Sequence, residues 1–187
     1  MTYGGPDVPP DEPSSESVKL AESSVLVEFV ADLFPEANLI PQDPTLRARA
    51  RSFVEVVNAK FAPAYTKFVI RGEGYEDVLA AVEAIQDILP QAATGIYAMG
   101  EQYTIADISL APFIARLKLV TASELGRYPV GQGSEFLQAL DGPKYNKFNL
   151  YVQRLLDRQS LQTTFDAVSY FVLRGGRVNF RVLNVWF

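Results

Sequence analysis

Few residues in this chain have the type and spacing to do chemistry. Glu22 and Ser23 stand together where a short extended run, Val18-Lys19-Leu20, passes into a helix. The first N–H groups of a helix have no intrahelical partner and favour an anion, and a serine hydroxyl there adds a donor. Such a start can hold a carboxylate. The plain alternative is helix capping, and on residue type alone that alternative is the stronger one. Lys19 precedes the pair and either contributes a positive charge or is simply solvated. Thr104 and Asp107 have the spacing of a capping box, with Tyr103 and Ile108 placed to close over it as a hydrophobic staple, so they are assigned to structure. Arg47, Arg49 and Arg51 form a basic run whose default is a solvated helix face. Phe61, Tyr65 and Phe68 either face an apolar pocket or pack in the core, and core packing is the default. Tyr3 is read as a strand residue.

Other chemistries are excluded by composition. The chain holds neither cysteine nor histidine. That removes thiol nucleophiles, Ser-His-Asp triads, disulfides and ordinary zinc sites, so no metal is assigned. The net charge of −5 argues against nucleic acid as a partner. No apolar run is long enough to span a bilayer, and the first residues resemble neither a signal nor a transit peptide, so the cytosol is the expected location. Charge is uneven: residues 1–36 carry eight acids and one base, Lys19, whereas Arg174, Arg177 and Arg181 cluster near the other end.

The elements that would position these residues follow from periodicity. Residues 1–17 are proline-rich and read as an exposed loop after Tyr3. A helix is expected from about Glu22 to Leu33 with Val25, Leu26, Phe29, Val30 and Leu33 on one face. Asp43 caps the next helix and Pro44 takes its first position. Leu46, Ala50, Phe53, Val57 and Phe61 mark its buried stripe, and Pro63 should end or kink it. A further helix opens after Gly74, with Val78, Leu79, Val82, Ile85 and Leu89 inward. The central helix starts at Thr104, is apolar nearly all round, and should bend at Pro112. Phe136 to Leu140 should form one or two turns. Tyr145 to Leu156 should bury Phe148, Tyr151, Val152 and Leu155, and Ser160 should cap a last short turn.

Three stretches together resemble the glutathione transferase family. Leu20-Ala21-Glu22-Ser23-Ser24-Val25-Leu26-Val27-Glu28-Phe29 is similar to the Glu-Ser motif and following helix of its thioredoxin-like domain. Leu39-Ile40-Pro41-Gln42-Asp43-Pro44-Thr45-Leu46-Arg47 resembles the interdomain linker and first helix of its helical domain. Gly100-Glu101-Gln102-Tyr103-Thr104-Ile105-Ala106-Asp107 resembles the opening of the central helix. The long proline-rich loop is most similar to fungal members. The resemblance implies a mainly α fold: a helical bundle of the family's C-terminal type over residues 39–167, preceded at 1–38 by a partial thioredoxin-like remnant of short strands and one helix. It implies glutathione as cosubstrate, with Ser23 holding the γ-glutamyl carboxylate, Glu22 the ammonium group, and Lys19 the glycyl carboxylate. It also implies hydrophobic small molecules as second substrates, detoxification chemistry, and a homodimer in the intact family.

The sequence departs from the family at both ends. The strand–helix–strand unit that carries the catalytic Tyr, Ser or Cys, and the cis-proline after it, find no match ahead of Met1-Thr2-Tyr3. The expectation is therefore an N-terminally truncated chain from a partial or misannotated gene model, with no catalytic residue assigned and no activity in conjugation. The alternative is a non-catalytic ligand-binding or assembly module. Residues 168–187 form an atypical tail of two strand-like runs around Gly175-Gly176. Its composition is aggregation-prone, so removal should raise solubility. The rival expectation is that it docks on the remnant sheet.

Overall fold

The computed structural model describes residues 1–9, 11–90 and 96–167; the tail lies outside the described residues. Two short strands open the chain. β1 (Thr2–Tyr3) and β2 (Val18–Lys19) pair antiparallel, Thr2 opposite Lys19 and Tyr3 opposite Val18. Met1 and Leu20 extend the pairing, each donating to the other's carbonyl at 2.9 Å. A two-stranded ribbon is marginal alone, and α1 (Ser23–Leu33) backs it. The Tyr3 ring meets Phe29 edge-on with centroids 5.0 Å apart. A single 3₁₀ turn, Pro35–Ala37, follows α1.

The rest is helical. Asp43 accepts the Leu46 N–H at 2.8 Å and so caps α2 (Pro44–Val56), with Pro44 first in the helix as expected. Pro63 does not end this helix. The backbone widens into a π segment at Val57–Phe61, passes through α3 (Ala62–Tyr65), and widens again at Thr66–Arg71. A proline has no N–H to give the ladder, and a wide i→i+5 turn just ahead of it absorbs that irregularity. The terminator is Gly72, at φ 77°, where a Cβ would sit 2.5 Å from the Arg127 carbonyl.

α4 (Glu76–Ile88), α5 (Ile105–Ala122), α6 (Gln132–Leu140), α7 (Asn146–Leu156) and α8 (Gln159–Thr164) complete the bundle. The fold is thus mainly α, a helical bundle behind a small strand-and-helix layer. α5 is its axis, touching α1, α2, α6 and α7. It runs unbroken through Pro112, and from Ile105 to Thr121 each of its residues is buried or partly buried, which suits its nearly uniform apolar sequence. Phe53, Phe61, Phe68, Phe136 and Phe148 are fully buried. Each such ring contributes about 1.5–3 kcal/mol over exposure. α6 is longer than the sequence suggests, because Glu124 supplies acceptors for its first N–H groups from outside the helix. Arg158, not Ser160, takes the N-cap position of α8. Ser160 lies inside the first turn, and its hydroxyl accepts from Arg158 Nε at 2.9 Å. Among the described residues, no helix is long and apolar enough to cross a membrane.

Candidate functional site

The start of α1 gathers two of the three residues the sequence singles out. Leu20 is fixed by its pairing with Met1, and two residues later Glu22 turns the chain into the helix. Glu22 does so at φ 68° and ψ 118°, outside the regions that bulky residues favour. Its carbonyl takes the Leu26 N–H at 3.0 Å as an ordinary first helical bond. Its side chain makes no capping hydrogen bond, and no acid occupies the first turn. Glu22, Ser23 and Ser24 are all exposed. The result is an open helix N-terminus bearing a positive dipole end and a serine hydroxyl beside one carboxylate. It can receive an anion on the N–H side and a cation on the Glu22 side.

Lys19 is placed differently. Its Nζ lies 3.5 Å from the Ser14 carbonyl, against the proline-rich loop. The arginines also lie elsewhere. Arg51 forms a two-point ion pair with Glu28 at 2.9 and 3.1 Å, and Arg47 donates to the Pro41 and Gln42 carbonyls at 3.3 and 3.4 Å. Both line a cleft of about 320 Å³ with Asp32, Pro35, Leu39 and Ile40. That cleft sits at the C-terminal end of α1. A helix of that length puts it about 15 Å from Ser23. Phe61, Tyr65 and Phe68 are core residues: all three are buried, Phe61 and Tyr65 meet Phe113 edge-on, and Phe68 stacks on Tyr128 at 4.3 Å.

The Thr104 and Asp107 pair forms its capping box, and more besides. Asp107 Oδ2 accepts the Thr104 N–H at 2.8 Å and the Thr104 hydroxyl at 3.2 Å. Thr104 Oγ1 in turn accepts the Ala106 N–H at 3.3 Å. Asp107 Oδ1 accepts the Ala98 N–H and the Tyr151 hydroxyl, each at 2.9 Å. Burial pushes the Asp107 carboxyl above its usual range, against the pull of these four donors. Burial, with Asp107 beside it, likewise holds Tyr151 well above the usual phenol range. Tyr103, the expected staple residue, faces Tyr97 edge-on at 5.2 Å and lies under the Arg158 guanidinium at 3.9 Å. Burial pushes its hydroxyl up to about 12. The sequence placed Tyr151 among the buried residues of α7, but its bond to Asp107, and that of Ala98, link separate segments and carry no local signature. The apolar stripe on α7 was the one available signal.

Among the described residues, no group of three or more acids could hold a metal ion. A family profile described as "Glutathione S-transferase, C-terminal domain" matches residues 45–154. The chain superposes on glutathione transferase Omega 1C from Trametes versicolor with TM-score 0.86 and 44% identity, covering 93% of this chain and 72% of that one. It superposes on Omega 2S from the same organism, solved in complex with 2,4-dihydroxybenzophenone, with TM-score 0.82 and 39% identity, covering 93% and 75%. Among curated relatives, maleylacetoacetate isomerase of Rattus norvegicus is 25% identical over 122 residues, 61% of this chain and 56% of the relative. The chain thus spans about half the length of the curated relatives it matches.

Proposed function

The chain belongs to the glutathione S-transferase family, and from that premise we propose that the start of α1 is where it holds glutathione. The γ-glutamyl carboxylate lies against the Ser23 N–H and hydroxyl, and the Glu22 carboxylate takes the ammonium group. Lys19 can reach the glycyl carboxylate only by leaving the Ser14 carbonyl. Residues 1–38 then act as the glutathione-facing layer and 39–167 as the helical domain that carries a hydrophobic second ligand. The observation that carries this reading is the Glu22 backbone. A positive φ at a glutamate costs about 1–3 kcal/mol and persists where surrounding structure and function demand it.

Conjugation of the glutathione thiolate to hydrophobic electrophiles, or its removal from them, is the chemistry proposed for the family's intact form, a cytosolic homodimer. A hydroxyl or thiol must lower the sulfur pKa for that step. We assign no residue of this chain to it. The chain as given is proposed to bind glutathione without turning it over. Calorimetric titration tests both halves. Saturable binding of glutathione, weakened about tenfold in Ser23→Ala, is expected from the loss of one charge-assisted hydrogen bond. An unchanged affinity in that variant overturns the site. Turnover of an aryl halide well above the uncatalysed rate, lost in the same variant, overturns the second half.

A second reading, a non-catalytic ligand-binding or assembly module, draws on one observation. Among the described residues, every fully buried core side chain except Ala31 comes from residues 50–155, with Val27 of α1 only partly buried against it. Binding of an apolar ligand with no binding of glutathione would favour it.

A further inference from the structure

We propose that Lys118 is a carbonyl-capture site: its Nζ, at a cleft between α5, α6 and α7, forms an imine with uncharged aldehydes that carry an apolar chain. The proposal stands apart from glutathione binding. It begins from where α5 puts a lysine. The helix is apolar nearly throughout, and Leu117 and Leu119 on either side of Lys118 are fully buried. Lys118 itself is half-buried and lines a cleft of about 480 Å³. Leu137, Gln138 and Leu140 of α6, Asp141 at its end, and Asn149 and Gln153 of α7 form the other walls. The amides of α7 are held in place. Asn149 Nδ2 donates to the Leu140 carbonyl at 2.7 Å, and Gln153 Nε2 donates to Asp157 Oδ1 at 2.9 Å.

Burial holds the Lys118 ammonium below the usual lysine range, against the pull of Asp141 and Asp157. A desolvated lysine amine is the nucleophile that imine chemistry needs. Other lysines are placed differently. Lys67 and Lys144 pair with Asp77 and Glu83, which hold them charged. Lys147 donates to the Gln86 and Leu89 carbonyls, and Lys60 is exposed. The cleft also selects the ligand. Leu137 and Leu140 offer apolar wall, while Asp141 and Asp157 repel an anion. In the reaction, the neutral amine adds its lone pair to the carbonyl carbon, and the carbonyl oxygen takes a proton. The carbinolamine then expels that oxygen as water as the C=N bond forms. From ammonium and aldehyde, the net products are a protonated imine and water. One positive charge is therefore kept opposite the two acids. Acylation would remove it, which favours an aldehyde over an acyl donor.

Reductive trapping on the full chain tests the proposal. Hexanal with cyanoborohydride fixes each imine as a secondary amine, and peptide mass mapping reports each lysine. Lys118 is expected to label about tenfold faster than Lys60 at pH 7, and the lead should shrink as pH rises toward about 10. Glyoxylate, an anionic aldehyde, should lose the preference. Gln138→Trp, a change at an exposed position that fills the cleft, should slow Lys118 about tenfold, leave Lys60 unchanged and keep the helical circular-dichroism signal. Labelling of Lys118 no faster than that of Lys60 overturns the proposal. So does a preference that survives both glyoxylate and Gln138→Trp, which would mark a reactive amine with no ligand cleft.

Discussion

Replacing Asp107 by alanine should be among the most damaging single changes in the bundle. The substitution removes four hydrogen bonds at once. Loss of the cap itself costs about 1 kcal/mol. The Ala98 N–H and the Tyr151 hydroxyl are then left buried without their acceptor, at about 1–3 kcal/mol each. Part of this is offset, because burial already disfavours the Asp107 carboxylate. The net expectation is about 3–5 kcal/mol. With a urea slope of about 2 kcal/mol/M, the unfolding midpoint followed by helical circular dichroism should fall by about 2 M. Tyr151→Phe removes one donor and leaves Asp107 Oδ1 with the Ala98 N–H, so it should cost only about 1 kcal/mol. Because the two side chains share one oxygen, the double variant should be less damaged than the sum of the singles by about 0.5 kcal/mol or more. A midpoint shift below about 0.5 M in Asp107→Ala, or strict additivity with Tyr151→Phe, refutes the reasoning.

Two further outcomes follow from the loops. Burial alone would raise the Glu124 carboxyl, but the Ser134 hydroxyl and the Ser134, Gly131 and Gly133 N–H groups hold it below its usual value. A depressed folded pKa means stability present above the unfolded value of about 4.5 and lost as pH falls through the folded value; Glu124→Gln should therefore be less stable at pH 7 and show a flatter acid limb, and a parallel pH profile to the parent counts against the cap. Gly72→Ala forces a Cβ against the Arg127 carbonyl at a positive φ and should destabilise by about 1–3 kcal/mol in the same urea assay, whereas an unchanged midpoint would show that the turn can relax.

What the sequence revealed was local. The stripe Ala50, Phe53, Val57 and Phe61 was legible because helical periodicity sorts residues by face, and all four are buried. The Asp43 and Thr104 caps were legible because each bond lies within three residues. Pro63 misled for the same reason: local rules end a helix there, while packing of Tyr65, Phe68 and Val69 carries it on to Arg71. The Tyr151 and Ala98 contacts with Asp107 depend on the tertiary fold and leave no local mark. At the candidate site, residue types pointed to Glu22 and Ser23, but the Glu22 backbone conformation and the diversion of Lys19 to Ser14 could not be read from spacing.

The two wide turns around Pro63 set the phase of everything after them. Phe53, Val57, Phe61, Tyr65 and Val69 follow one another at intervals of four, and all are buried. An α-helix advances about 100° per residue, so each such interval drifts by about 40°. Four of them would swing Val69 about 160° from Phe53, nearly to the opposite face. Turns closed by i→i+5 bonds hold more residues and cancel that drift. The spacing thus acts as a vernier between chain length and core direction. A one-residue deletion at Val57–Phe61 would not merely shorten the helix. It would rotate Tyr65, Phe68 and Val69 together by about 100°, unseating the aromatic wall against Phe113, Tyr128 and Phe136.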